Sequence, residues 1–172
     1  MSKALVIGGG IGGLTSALCL AKKGHRVDLF EQAERFEEIG AGIQLSPNCS
    51  RVLHYLGLQE SLQQHGFLPE GTQLRHWKTA DVLSESILGN AATLQFGAPY
   101  YHIHRGDLLR LLVDTASQQK NITLHLESNI DRFSQNDDGV SVVTNDQTFT
   151  GDLLIGADGI HSKIRASMWG HE

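Results

Sequence analysis

The sequence has few cysteines, few prolines and no long hydrophobic segment, and each shortage excludes a class of protein. Its two cysteines, Cys19 and Cys49, lie in no CxxC or Cys/His cluster, which excludes a disulfide framework and a zinc site of standard spacing. Three prolines and 40% hydrophobic residues indicate a globular chain rather than a disordered one. No segment approaches the roughly 20 apolar residues of a membrane span. We therefore expect a cytoplasmic protein with no membrane partner.

Positive charge is scarce as well, with 14 Lys and Arg against 19 Asp and Glu and a net charge of -5. A nucleic-acid surface normally concentrates basic side chains, so no nucleic-acid partner is expected. The length of 172 residues suffices for one sizeable α/β domain. Glycine, in contrast, is abundant at 19 residues, and five of these lie between Gly8 and Gly13.

The first 31 residues have the pattern of a βαβ unit. Residues 4–7 form a continuous apolar run, which is typical of a strand buried on both faces of a parallel sheet. Apolar residues at helical spacing follow from Leu14 to Ala21, and Gly24 offers a left-handed helix end. Residues 27–30 resume a strand pattern that Glu31 closes. The spacing thus predicts a strand, a tight glycine turn, a helix and a second strand.

The rest of the chain continues this alternation. The pattern predicts, in chain order, a helix from Ser46 to Gly57, a strand excursion over about 67–101 with short segments at 74–77 and 93–96, a helix capped by Asp107, a half-buried strand at 122–126, a hairpin or meander with strands at 140–144 and 147–150, and a buried strand at 153–155. The predicted fold class is α/β, a Rossmann-like domain with a central parallel sheet and a β-meander.

The spacing Gly8-x-Gly10-x-x-Gly13 falls between a buried strand and a helix, where a dinucleotide-binding turn requires it. The first glycine permits the tight turn, the second admits a pyrophosphate to the backbone and the third lets helix and strand pack closely. Glu31 stands where a carboxylate accepts hydrogen bonds from ribose hydroxyls, which suits NAD or FAD and disfavours NADP. A flexible glycine loop and a merely solvated acid are the alternative interpretations.

Three later segments resemble the motifs of FAD-dependent aromatic hydroxylases, with salicylate and hydroxybenzoate hydroxylases as the nearest members. They are Gly-Ala-Gly-Ile-Gln-Leu-Ser-Pro-Asn at 40–48, His-Arg-Gly-Asp-Leu at 104–108 and Gly-Ala-Asp-Gly-Ile-His-Ser-Lys-Ile-Arg at 156–165. The resemblance implies an FAD-binding domain over 1–172, interrupted at about 67–101 by part of a substrate domain. It also implies hydroxylation of a small aromatic substrate with FAD, O2 and either NADH or NADPH.

The same resemblance assigns further cofactor-binding residues. Arg105 would reach the FAD as a cation near the pyrophosphate, and Asp158 would lie near the pyrophosphate and ribityl chain, although an Asp-Gly pair also forms turns. The remaining assignments are Arg35 at the adenosine end or simply at the surface, Gln44 and Leu45 in a loop near the flavin ring, and Ile130 with its backbone at the adenine. No catalytic acid or base is identified.

Other interpretations stay open from the sequence. The pair His102-x-His104 lacks a nearby third ligand, so we expect no metal site. A nicotinamide-dependent dehydrogenase or a non-catalytic dinucleotide-binding module would use the same glycine turn and acid. A squalene-epoxidase-like or ubiquinone-pathway hydroxylase would share the flavin motifs, and a homo-oligomer is compatible with the sequence. Because the family's second Gly-Asp segment is missing, we expect the chain to be an N-terminal fragment.

Overall fold

A computed structural model describes residues 1–37 and 40–170 of the chain. The elements, in chain order, are β1 (Lys3–Ile7), α1 (Ile11–Lys22), β2 (Arg26–Phe30), β3 (Gly42–Leu45), α2 (Pro47–Tyr55), α3 (Gln59–His65), β4 (Gly71–Arg75), β5 (Val82–Ile87), α4 (Gly89–Phe96), β6 (Tyr101–His104), α5 (Arg105–Ser117), β7 (Ile122–His125), β8 (Arg132–Asn136), β9 (Gly139–Thr144), β10 (Gln147–Gly151), β11 (Leu153–Gly156) and α6 (Lys163–Trp169). No helix among the described residues is long and apolar enough to cross a membrane.

The described residues form two compact units. Residues 1–37 and 109–170 make unit 1, and residues 40–108 make unit 2. Unit 1 is therefore assembled from two separate parts of the chain, with unit 2 inserted between them. Each unit has its own buried side chains, among them Leu5, Val6 and Leu29 in unit 1 and Leu53 and Leu62 in unit 2.

Unit 1 contains the predicted central parallel sheet. Its strand order is β11-β1-β2-β7, and every neighbouring pair is parallel. The four apolar residues of β1 from Ala4 onward are at most 5% exposed, as the continuous apolar run predicted. Helix α1 buries Leu14, Ala17, Leu18 and Ala21, the residues at helical spacing. The α/β fold class and the βαβ unit are confirmed.

The meander also belongs to unit 1. Strands β8, β9 and β10 pair antiparallel in sequence order. Val142 of β9 is fully buried in a cluster with Leu5, Phe30 and Ile130, and Phe149 packs against that cluster. The Asn145-Asp146 turn that joins β9 to β10 has both residues at positive φ, as a type I′ hairpin turn requires. The predicted meander is confirmed.

Unit 2 departs from the prediction in the second half of the strand excursion. Strands β4 and β5 form an antiparallel hairpin, but the segment 93–96 predicted as a strand belongs to helix α4. The alternation Thr-Leu-Gln-Phe imitates a strand, whereas the helix-forming pair Ala91-Ala92 before it and the left-handed Gly97 after it favour a helix. Only Ala92 of α4 is buried, so this helix presents no apolar stripe to identify it.

Two helix boundaries also differ from the sequence prediction. Asp107 does not cap α5, because the helix already begins at Arg105 and Asp107 lies in its first turn. An acid is favourable near a helix N-terminus at either position, so its presence does not fix the boundary. Helix α3 was not predicted at all. The helix has only 7 residues, of which Leu62 is the one buried residue, and Gly66 is its C-cap. So short a segment shows no apolar periodicity that would predict a helix.

Candidate functional site

Two glycines of the turn between β1 and α1 are required by the packing of the chain itself. Gly8 has a φ of +106°, and a Cβ there would overlap the carbonyl group of Ala157. A Cβ on Gly13 would overlap the carbonyl oxygen of Gly8. The Gly8 N–H donates to the Phe30 carbonyl oxygen at 2.8 Å, which ties the turn to β2. These contacts bring the backbones of β1, α1 and the segment after β11 close together.

Gly10 serves a different purpose, since no described atom lies within 4 Å of the position its Cβ would occupy. It is the N-cap residue of α1, and no side chain caps the helix there. The first N–H groups of a helix need a partner, and the helix dipole favours a negative one. The open space beside Gly10 therefore leaves the backbone accessible to an anionic group such as a pyrophosphate.

Glu31 is bonded to the glycine turn rather than simply solvated. Its Oε2 accepts the N–H of Gly9 at 2.7 Å, and its Oε1 accepts the N–H of Ala33 at 2.9 Å. The ring of Phe36 lies on the same side, because a Cβ on Gly9 would stand 2.5 Å from Phe36 Cε1. The carboxylate is thus held at the carboxyl end of β2, where the ribose of a dinucleotide is expected.

Asp158 lies next to the glycine turn and organises the start of α6. The Ala157 N–H donates to the Ile7 carbonyl oxygen at 2.7 Å, which fixes the Asp-Gly segment beside β1. Asp158 Oδ1 accepts the Ser162 hydroxyl at 2.6 Å, and Oδ2 accepts the Ile164 N–H at 3.2 Å. Its carboxylate therefore has a structural role in this turn, and its predicted place near the pyrophosphate stays a prediction.

The other two predicted residues of unit 1 differ in their surroundings. The Ile130 side chain is 6% exposed, and its carbonyl oxygen accepts the Lys163 ammonium at 3.3 Å. The adenine contact of its backbone therefore stays a prediction. The Arg35 side chain is 73% exposed and pairs with Glu37 at 2.8 Å. Salt pairs this exposed contribute little to stability, so the surface interpretation of Arg35 stays open.

Gln44, Leu45 and Arg105 belong to unit 2. Gln44 and Leu45 were expected in a loop, but they lie in strand β3, because residues 42–45 pair with β6. Gln44 is exposed, whereas Leu45 is buried, and the place of both near the flavin ring stays a prediction. Arg105 begins α5, and a Cβ on Gly40 would approach its side chain to 3.2 Å.

The pair His102 and His104 lies on β6, opposite Gln44 and Gly42 respectively. Among the described residues, no three His, Cys, Asp or Glu side chains are grouped as a metal site would require. The alternation of β6 directs both histidines to the face opposite the buried Tyr101 and Ile103.

Comparison with known proteins decides which dinucleotide the turn serves. The family described as the FAD binding domain matches residues 1–169. The chain belongs to this FAD-binding domain family. Its cofactor is FAD, and the residues of the turn fit it: Gly10 leaves the backbone open, α1 directs its N-terminus at the same place and Glu31 stands at the end of β2.

Relatives of this FAD-binding domain are monooxygenases of aromatic compounds. The chain is 35% identical, over 97% of its length, to the 6-hydroxynicotinate 3-monooxygenase of Pseudomonas fluorescens. It is 40% identical, over 95% of its length, to the 3-amino-4-hydroxybenzoate 2-monooxygenase of Streptomyces cremeus. It spans only 43% and 41% of these two proteins. A solved structure of Klebsiella pneumoniae HpxO with FAD and uric acid is similar with a TM-score of 0.81 and 29% identity, over 96% of this chain and 41% of that one.

Three residues close to the candidate site were not predicted from the sequence. Ser162 contacts the predicted residue Asp158, Lys163 contacts the predicted residue Ile130, and Phe36 lies beside Gly9 of the glycine turn. Ser162 alone had a usable signal in the sequence, because serine is a preferred N-cap residue. In the structure it is the N-cap of α6, and its hydroxyl accepts the Arg165 N–H. The contacts of Phe36 and Lys163 depend on side-chain directions that no local pattern specifies.

Proposed function

We propose that the protein carrying this chain is an FAD-dependent monooxygenase that hydroxylates an aromatic acid, with salicylate or a hydroxybenzoate as the first candidate. The observation that carries this proposal is the 40% identity, over nearly the whole chain, to a monooxygenase of an aminohydroxybenzoate. In the overall reaction one oxygen atom of O2 enters the aromatic ring, the other leaves as water, and NADH or NADPH is oxidised. The proposed protein is cytoplasmic, and its partners are the aromatic substrate and O2.

The residues of the chain would bind and orient the cofactor. FAD, when bound, would supply the redox chemistry that links the oxidation of NAD(P)H to the use of O2. Gly10 would admit the pyrophosphate to the N-terminus of α1, and Glu31 would accept hydrogen bonds from the ribose hydroxyls. Arg105 would add a planar cation able to bind phosphate oxygens with two hydrogen bonds. The remaining proposed contacts are those of Gly8, Gly13, Arg35, Gln44, Leu45, Ile130 and Asp158.

We also propose that residues 67–101 are part of the substrate domain. Support comes from the hairpin β4–β5, in which every strand residue is exposed. It carries large apolar side chains, including Leu74 at 63% exposed and Ile87 at 75%, with Trp77 at 82% between the strands. Apolar surface of this kind normally marks an interaction or ligand-binding region.

The test uses the whole protein, prepared at the length of its relatives. We expect it to be purified yellow, with an absorption band near roughly 450 nm from oxidised flavin. NADH or NADPH oxidation should be stimulated by salicylate, 3-hydroxybenzoate or 6-hydroxynicotinate, and a hydroxylated product should accumulate. A colourless protein that transfers hydride would support a nicotinamide-dependent dehydrogenase instead. A yellow protein whose oxidation of NAD(P)H no aromatic acid stimulates would overturn the hydroxylase proposal.

A further inference from the structure

The ribbon formed by β3 and β6 has one buried face and one open face. Gln44 lies opposite His102 in its register, and Leu45 lies opposite Tyr101. Leu45, Tyr101 and Ile103 are each at most 3% exposed. Because successive side chains of a strand point to opposite faces, Gln44 and His102 share the open face. A polar pair thus occupies the face opposite Leu45, Tyr101 and Ile103, where Gln44 is exposed and His102 is half-buried.

Aromatic rings flank this polar pair. Phe67 joins the outer edge of β6, since Phe67 and His102 exchange both backbone hydrogen bonds at 2.7 Å. The Phe67 side chain is 65% exposed, and its ring centroid lies 6.4 Å from that of His102. The Tyr100 ring packs edge-on against His102 at 5.8 Å. We call these four residues, Gln44, Phe67, Tyr100 and His102, the ribbon face.

Tyr100 fixes the orientation of the Gln44 amide. The Tyr100 hydroxyl donates to Gln44 Oε1 at 2.8 Å. Once its oxygen is engaged in this way, the amide presents its NH2 group, which has two donors and no acceptor. The exposed end of Gln44 is therefore suited to an oxygen that accepts hydrogen bonds, and a carboxylate is the strongest such acceptor among common ligands.

His102 adds an unsatisfied polar atom to the same face. Its Nε2 is buried and has no hydrogen-bond partner among the described residues. Buried polar atoms in native proteins are nearly always paired with protein, water or ligand. The ribbon face therefore combines the exposed Gln44 amide with a buried polar atom of His102 that no described residue pairs.

We propose that the ribbon face binds the aromatic acid itself. Gln44 donates a hydrogen bond to an anionic oxygen of the acid, while the exposed ring of Phe67 and the ring of Tyr100 provide apolar surface for the aromatic ring. Tyr100 is a positioning residue, because it acts by holding the Gln44 amide. The inference rests on the proposed function and deepens it, since it assigns substrate recognition to residues of unit 2.

The test measures binding separately from turnover. The whole FAD-loaded protein is titrated with 3-hydroxybenzoate, salicylate and 6-hydroxynicotinate, and the change in the visible flavin spectrum gives a Kd for each acid. The variants are Gln44→Leu, Tyr100→Phe and the double variant, with Gln64→Leu on the exposed side of α3 as the matched control. Tyr100→Phe removes the hydroxyl and keeps the ring that packs on His102.

Each single variant should raise the Kd about tenfold, as expected for one lost hydrogen bond, and should raise the KM for the acid and not that for NAD(P)H. The double variant should bind no worse than Gln44→Leu, because Tyr100 acts through Gln44. Additive effects would overturn the positioning role, and an unchanged Kd for Gln44→Leu would overturn the site. Binding of an acid without stimulated NAD(P)H oxidation would contradict the proposed reaction alone, whereas no acid binding to the unaltered protein would contradict both.

Discussion

At the scale of single residues, the glycines of the turn between β1 and α1 differ in what an added methyl group would meet. At Gly13 it would meet the backbone of Gly8, whereas at Gly10 it would enter space that no described atom occupies. The spacing of the motif was visible in the sequence, but this difference was not, because it depends on how closely separate segments approach. The two glycines should therefore respond differently to the same substitution.

We expect Gly10→Ala to leave the thermal unfolding temperature within a few degrees and to weaken FAD binding by about tenfold or more, since the methyl group fills the space proposed for the pyrophosphate. Gly13→Ala should instead lower the stability of the protein itself. Gly12→Ala, at an open position that the motif does not specify, is the control. FAD titration and thermal unfolding of the same samples would check this, and equal FAD affinity for Gly10→Ala would contradict it.

Glu31 connects the turn to the end of β2 through hydrogen bonds from Gly9 and Ala33. Glu31→Gln should weaken FAD binding by about ten- to a hundredfold, because hydrogen bonds to a charged group are worth roughly 1.5–3 kcal/mol. Glu31→Lys should weaken it further by reversing the charge. The exposed Glu34→Gln serves as the control in the same FAD titration. An unchanged affinity for the lysine variant would discard the assignment of Glu31.

At the scale of elements, the sequence predicted best where one pattern dominates. The apolar run of β1 and the helical spacing of α1 correctly predicted a buried strand and an amphipathic helix. Prediction failed at α4, whose alternating residues are exposed and so carry no information about a buried face. It could not find the contact between Glu31 and Gly9 either, because that contact requires the register of β1 against β2.

Three strands of the central sheet are joined by an ion-paired aspartate. Asp28 of β2 accepts hydrogen bonds from Lys3 of β1 at 2.8 Å and from His125 of β7 at 2.9 Å, and its side chain is only 14% exposed. Burial opposes the ionised carboxyl, but the partners His125 and Lys3 outweigh it and hold the pKa of Asp28 below its usual value. The folded protein therefore binds this proton more weakly than the unfolded chain does.

The contribution of Asp28 to stability should be complete above the ordinary Asp pKa of about 4 and should be lost as the pH falls through the lower folded value. Asp28→Asn should reduce the free energy of unfolding by about 1–3 kcal/mol at neutral pH, with a smaller difference in strong acid. Urea unfolding of both proteins across this pH range would measure it. The exposed Asp114→Asn is the control, and a pH-independent difference would contradict the explanation.

At the scale of the whole molecule, unit 2 is inserted in the sequence between the two parts of unit 1, and only the family resemblance, with its interruption at about 67–101, implied a nested order of this kind. Strand β7 pairs with β2, and β11 pairs with β1, although unit 2 separates the partners in the sequence. The central sheet of unit 1 is therefore completed by residues that follow unit 2 in the chain. Local periodicity contains no information about such distant pairing. The motifs suggested part of it, since the Asp-Gly segment was expected near the pyrophosphate and lies beside Gly8.

Because unit 2 is an insertion, cofactor and substrate binding should be separable by deleting its hairpin. Gly71 and Ile87 are directly paired across β4 and β5, so residues 72–86 can be replaced by Asn-Gly, which favours the tight turn needed to join them. The hairpin has no buried residue, so its removal should not disturb a core.

We expect the shortened whole protein to retain its flavin absorbance and to bind aromatic acids at least tenfold more weakly, because residues 67–101 are proposed to belong to the substrate domain. Titration of the protein with 3-hydroxybenzoate, followed through the spectrum of the bound flavin, measures acid binding in the same sample that shows the flavin absorbance. Unchanged affinity for the acid would remove the hairpin from the substrate site. Loss of the flavin together with the acid would mean instead that the hairpin supports the cofactor-binding fold, contrary to its exposure on both strands.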